Sequence, residues 1–222
     1  MADYLANERK LSLKVVYYGP ALSGKTTNLM QLHNLLDPQR KGELMVLETR
    51  DDRTLFFDLL PIGLRSRSGL DLRLKLYTVP GQVQHDSTRK AVLSRADGVI
   101  FIADSQLNQQ DNNATAFDNL TDNLQKLGMD IEQLPLVVQF NKRDLPDAID
   151  EATLQARWAA TPWAPIALAS ALHGHGVVES FRQLLARLYP ALDREFALAA
   201  EHGVDAPAFI RLLGAAHEAP HA

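Results

Sequence analysis

Apolar and polar positions along the chain follow two rhythms. Leu70, Leu72, Leu74 and Leu76 alternate with Asp71, Arg73, Lys75 and Tyr77, a period of two that predicts a strand with one buried face. Residues 11–18, 98–103 and 135–140 are near-continuous apolar runs, as expected of parallel strands covered on both faces. Shorter apolar runs at 44–47, 55–60 and 166–169 predict further strands, the second ended by Pro61, with a hairpin connection at 62–69. Helical spacing appears at 27–36, 87–95, 111–127 with Gly128 as its stop, 151–160 and 177–189. Residues 1–10 are polar and read as a surface lead-in. Strands and helices that alternate at these lengths predict an α/β fold, a mostly parallel central sheet with helices on both faces. Ligands of such sheets sit beyond the carboxyl ends of the strands.

Composition shifts after Pro190. Residues 1–190 read as one domain and 191–222 as an alanine-rich C-terminal helical extension, with helices at 192–201 and 206–213. Asp205 is placed to cap the second, and Phe209, Ile210, Leu212 and Leu213 give it an apolar side that is expected to pack back on the domain. A partner-binding helix is the alternative reading.

The first candidate chemistry is Gly19-Pro20-Ala21-Leu22-Ser23-Gly24-Lys25-Thr26, which fits the G-x-x-x-x-G-K-[ST] phosphate-binding pattern between a strand and a helix. Backbone N–H groups of such a loop, through Thr27, form a concave anion site, and the following helix adds its unpaired first-turn donors. Lys25 is expected to reach β- and γ-phosphates, and the Thr26 hydroxyl to ligate Mg²⁺.

The second is Asn141-Lys142-Arg143-Asp144, after a core strand at the same sheet edge. One carboxylate, Asp144, can accept from both the N1–H and N2 amine of guanine. Against adenine it would face a lone pair, and a buried polar group left unpaired costs about 1–3 kcal/mol. Asn141 can contact the ring and tie neighbouring loops, and the Lys142 stem can cover one face of the base. Backbone N–H groups at Ser170, Ala171 and Leu172 are candidates for guanine O6.

The third is Thr78-Val79-Pro80-Gly81-Gln82. The Gly81 N–H is placed to donate to a γ-phosphate and Gln82 to orient the attacking water. Arg53 would serve as an arginine finger in cis, and Thr54 would reach Mg²⁺. His85 reads as a surface histidine, and His173 with His175 lacks the company a metal pair needs. Asp97 and Asp104 read as loop caps.

Composition narrows the rest. The chain has 222 residues, 46% hydrophobic, with a net charge of −4. That balance suits a globular protein and gives no basic footprint for nucleic acid. Without cysteines there are no disulfides, thiolate metal sites, prenylation or palmitoylation, and Met1-Ala2-Asp3 lacks the glycine of myristoylation. A cytoplasmic protein without a lipid anchor is expected.

These motifs, through about residues 10–190, resemble the Ras superfamily of small GTPases. More closely they resemble the bacterial MglA (mutual gliding protein A) group, on residues 16–20, 23–29, 53–58, 77–82 and 141–146. The resemblance implies a P-loop small-G-domain that switches between GDP and GTP and hydrolyses GTP slowly alone. It also implies a roadblock/LC7-type (MglB-like) activating regulator and downstream polarity or surface-motility effectors, with recruitment to a cell pole through partners. By resemblance Arg53 and Gln82 are the catalytic arginine and glutamine, and Thr54 the switch threonine. Ala21 and a tail beyond Pro190, which the family generally lacks in this length, are departures from the family, and Thr78 is a difference from Ras-type proteins. Thr78 replaces the Asp that holds Mg²⁺ through water, leaving more to Thr26 and the phosphates. Ala21 replaces a glycine, and its methyl is expected to slow intrinsic hydrolysis. A GTP-dependent binding module with little or no hydrolysis is the alternative. A P-loop ATPase or kinase is a third reading, which Asn141 and Asp144 oppose.

Overall fold

The structure is a computed structural model that describes residues 2–39, 41–47, 57–66, 68–80 and 86–214. Eight strands are present among the described residues: β1 (Asp3–Leu5), β2 (Lys10–Tyr18), β3 (Met45–Leu47), β4 (Phe57–Arg65), β5 (Asp71–Thr78), β6 (Gly98–Asp104), β7 (Leu136–Asn141) and β8 (Ala167–Leu168). They form one sheet in the order β3-β4-β5-β2-β6-β7-β8, with β1 antiparallel beside the start of β2. From β5 to β8 every neighbour is parallel, while β3, β4 and β5 form an antiparallel meander. The helices are α1 (Lys25–Leu35), α2 (Asp86–Leu93), α3 (Gln110–Lys126), α4 (Glu151–Trp158), α5 (Val177–Phe196), α6 (Leu198–His202) and α7 (Ala206–Gly214).

The apolar alternation of β5 sends Leu72, Leu74 and Leu76 into the layer under α1, α5 and α7, where Leu29, Leu32, Phe181 and Phe209 meet them. The opposite layer packs Val16, Tyr18, Val99 and Phe101 against Leu93 of α2, Leu120 of α3 and Leu154 of α4. All seven residues of β6 are buried, as its unbroken apolar run requires.

Four sequence expectations change. Residues 3–5 are a strand, and Tyr4 packs at a tilt against Phe196 with ring centres 5.4 Å apart. β4 runs through Pro61 to Arg65. A residue of an extended strand turns its N and C=O to the same edge, so the missing donor falls on the Gly42 side, where the Pro61 carbonyl accepts the Gly42 N–H at 2.9 Å. The connection to β5 is correspondingly shorter, with the Ser66 N–H donating to Leu70 O at 2.8 Å. Finally, α5 continues past Tyr189 and Pro190 to Phe196. Pro190 and Ala186 both lie on the exposed side, so the Ala186 carbonyl that loses its helical donor is open to water. Buried Tyr189 and Leu192 hold the helix to the core on either side.

The tail packs back as expected. Phe209 and Leu213 are fully buried, and the Asp205 carboxylate caps α7 by accepting the Ala208 N–H at 2.8 Å. No helix among the described residues is long and apolar enough to cross a membrane.

Candidate functional site

β2 delivers the chain to the phosphate-type loop at the carboxyl edge of the sheet. Gly19 has φ 142°, and a Cβ there would lie 2.2 Å from the Ile102 carbonyl of β6. Gly24 has φ 97°, and its Cβ would lie 2.3 Å from the Asn141 side chain. Only glycine allows this loop to sit so close to two strands. Leu22, not Ala21, takes the left-handed conformation between them, and its side chain is 89% exposed. Ala21 is exposed and Ser23 buried.

The buried Lys25 ammonium folds back over the loop, donating to the Gly19 carbonyl at 3.0 Å and to that of Pro20 at 2.6 Å. Gly24, at the N-cap of α1, supplies no side-chain cap. A helix start without a side-chain cap presents its first-turn N–H groups toward the loop that precedes it. Thr26 is exposed and Thr27 half-buried. A glycine-forced concave backbone with an ammonium at its mouth has the chemistry to receive a polyphosphate.

The second motif is built from β7 and the turn after β8. Asn141 ends β7, and its side chain joins both loops: Nδ2 donates to Ser23 O at 2.9 Å, and Oδ1 accepts the Ala171 N–H at 2.9 Å. Lys142 has φ 64°, and its Nζ pairs with Asp104 Oδ2 at 2.5 Å. Asp104 in turn caps its own turn through Gln106 N–H at 3.1 Å. The Asp144 carboxylate, partly open to solvent, accepts from the Ser170 hydroxyl and lies 3.9 Å from His173 Nε2. The Ser170 hydrogen bond is the main reason its carboxyl is held below the ordinary value of 3.8. The shift favours its ionised, acceptor-only form.

The N–H groups of Ser170, Ala171 and His173 are engaged by His175 O, Asn141 and Ser170 O. Leu172 is exposed, and its carbonyl accepts from Gln31 of α1 at 3.3 Å. Asp97 accepts the Lys14 N–H at 2.8 Å, tying the turn before β6 to strand β2 rather than capping its own loop.

The site brings together Gly19, Lys25, Thr26, Asn141, Lys142, Asp144 and Ser170. Arg53, Thr54, Gly81, Gln82 and His85 lie outside the described residues. Thr78 is buried at the end of β5. No cluster of three or more His, Asp or Glu able to hold a metal exists among the described residues. The donor set on offer, one helix hydroxyl beside a polyphosphate receptor, fits Mg²⁺, which takes its ligands mainly from phosphate and water. Sequence reasoning missed three polar groups: the Ser170 hydroxyl, Asn28 and Gln139. The last two were marked only by being amides inside apolar patterns.

Residues 64–188 match the ADP-ribosylation factor family. Over 143 residues the chain is 48% identical to the mutual gliding-motility protein MglA of Myxococcus xanthus (strain DK1622), covering 64% of this chain and 73% of that protein.

Proposed function

This chain belongs to the ADP-ribosylation factor family and is an MglA-like small GTPase; from that premise we propose that it binds GDP and GTP with Mg²⁺, hydrolyses GTP slowly alone, and directs polarity or surface motility. The observation that carries the reading is the double tie made by Asn141. One side chain fixes the phosphate loop to the base-reading turn, so both halves of a nucleotide are met by a single rigid frame.

Within that frame the loop amides and Lys25 hold the β- and γ-phosphates, and Asp144 selects guanine by accepting two donors at once. Ser170 keeps that carboxylate ionised and aimed. Mg²⁺, when bound, neutralises phosphate charge, with the Thr26 and Thr54 hydroxyls as its protein ligands. Gly81 donates to the γ-phosphate, Gln82 orients the attacking water, and Arg53 stabilises charge on the transferred group. A roadblock-type regulator accelerates this step, and partners recruit the GTP form to a cell pole.

The test begins with labelled GDP in magnesium buffer. Tight uptake that GTP displaces and ATP does not is expected; equal displacement by ATP refutes guanine selection. Single-turnover hydrolysis should be slow, rise with a roadblock partner, and fall in Arg53→Ala and Gln82→Ala. An Ala21→Gly variant should hydrolyse faster. An unchanged rate removes the methyl as the cause of slowness.

A further inference from the structure

Beneath the phosphate loop lie two amide side chains that the reading above does not use. Asn28 stands in the first turn of α1 and Gln139 in the middle of β7, and both are fully buried. Gln139 Nε2 donates to Asn28 Oδ1 at 2.8 Å. Asn28 Nδ2 donates to the Gly24 carbonyl at 3.0 Å, and the Asn28 backbone N–H reaches the same oxygen at 2.9 Å. The chain of bonds fixes the amide orientations. The Gly24 oxygen can only accept, so Asn28 must turn its NH₂ to it and its oxygen to Gln139, which must donate.

The Gly24 carbonyl shares one planar trans peptide with the Lys25 N–H, and the two point in opposite directions. Two donors pulling the Gly24 oxygen down toward α1 therefore turn the Lys25 N–H up into the phosphate receptor. An ordinary helix start uses one backbone donor here; Asn28 adds a second from its side chain. Gln139 is not itself fully satisfied: its Oε1 is buried with no partner among the described residues, a cost that an apolar pair at positions 28 and 139 would not carry. Two residues on, along the same face of β7, Asn141 holds the Ser23 carbonyl at 2.9 Å. Successive inward residues of the base-reading strand thus set the two peptides on either side of Gly24.

We propose that Asn28 and Gln139 are positioning residues that aim the Lys25 amide at the nucleotide phosphates. The inference rests on the nucleotide reading of this site. The decisive variants are Gln139→Met and the paired Asn28→Leu/Gln139→Met, assayed for release of fluorescent GDP and for Tm. Gln139→Met strands the Asn28 oxygen, so Tm should fall and release should quicken. The pair removes both polar groups, so Tm should return to or above the wild-type value while release stays about tenfold faster. Recovery of both quantities overturns the proposal, as does an unchanged release rate. Preference for GDP over ADP should survive in both variants, since Asn141 and Asp144 are untouched; its loss points to general loosening and also overturns it. Should the pair fold poorly, the Lys25 amide resonance gives a second measurement. Its shift on GDP binding should shrink in Gln139→Met, and an identical shift refutes the idea. Failure of wild-type protein to take up GDP would instead sink the nucleotide reading itself.

Discussion

The carboxyl edge of the sheet and the corner made by α5, α6 and α7 are held together by opposite means. At the edge the buried groups are polar: Ser23, Lys25, Asn28, Gln139 and Asn141. Two are imperfectly satisfied, for Ser23 Oγ and Gln139 Oε1 are buried without partners among the described residues. At the corner Leu198, Val204, Phe209 and Leu213 are buried and apolar, with Tyr189 stacked 5.7 Å from Phe209 and its hydroxyl on Val204 O at 3.0 Å. Burying apolar surface stabilises; burying imperfectly paired polar groups does not, unless they hold a shape something else needs. If the polar edge is the proposed nucleotide site, most of the stability should reside in the apolar corner and most of the binding at the edge.

The largest test of that separation is Phe209→Ala, which should cost about 3–5 kcal/mol of stability through the cavity it leaves. Tm should drop by roughly 10 °C or more, with GDP release from the folded protein unchanged. Coupled loss of binding would break the separation. Lys25→Ala should do the reverse, weakening GDP by about a hundredfold through loss of the phosphate-facing charge. Calorimetry of the nucleotide-free variant should show a Tm within about 4 °C of wild type.

Asp205→Ala removes the cap of α7 and should lower stability by about 1 kcal/mol, read as a small Tm shift without effect on nucleotide. Ser170→Ala is the mildest, expected to weaken GDP about threefold at neutral pH. It also has a pH signature. A carboxyl whose folded pKa is depressed contributes above its unfolded value and loses that contribution as pH falls through the folded one. Asp144 is such a group, and Ser170 is the chief cause. Without the hydroxyl the acid limb of GDP binding should move to higher pH, a shift that titration from neutral pH downward will show.

What could be read in the chain follows the same division. The alternation of β5 and the unbroken apolar run of β6 announce their burial directly, because strand periodicity and layer coverage act residue by residue. The phosphate loop and the Asn141-to-Asp144 turn were legible because fixed chemistry demands fixed spacing. The partners of those residues were not. Ser170 Oγ meets Asp144 across 26 residues and Gln139 meets Asn28 across 111, and contacts over such separations leave no local pattern. Pro61 and Pro190 misled for one reason: each removes a donor, yet the structure turns the deprived position to an edge or to water. Proline as punctuation is a statement about average surroundings, and these two are not average.

Pro190 has a practical consequence for dissecting the protein. Composition changes there, so it invites a cut, yet the residue sits inside an unbroken helix. A fragment ending at that point would shed Leu192 along with the apolar plug contributed by α6 and α7. If such a fragment then failed to engage a regulator, the failure would describe a damaged interior and leave the extension's own role unasked. Exposed single substitutions on the outer side of α7, at Arg211 for instance, put that question without opening the interior.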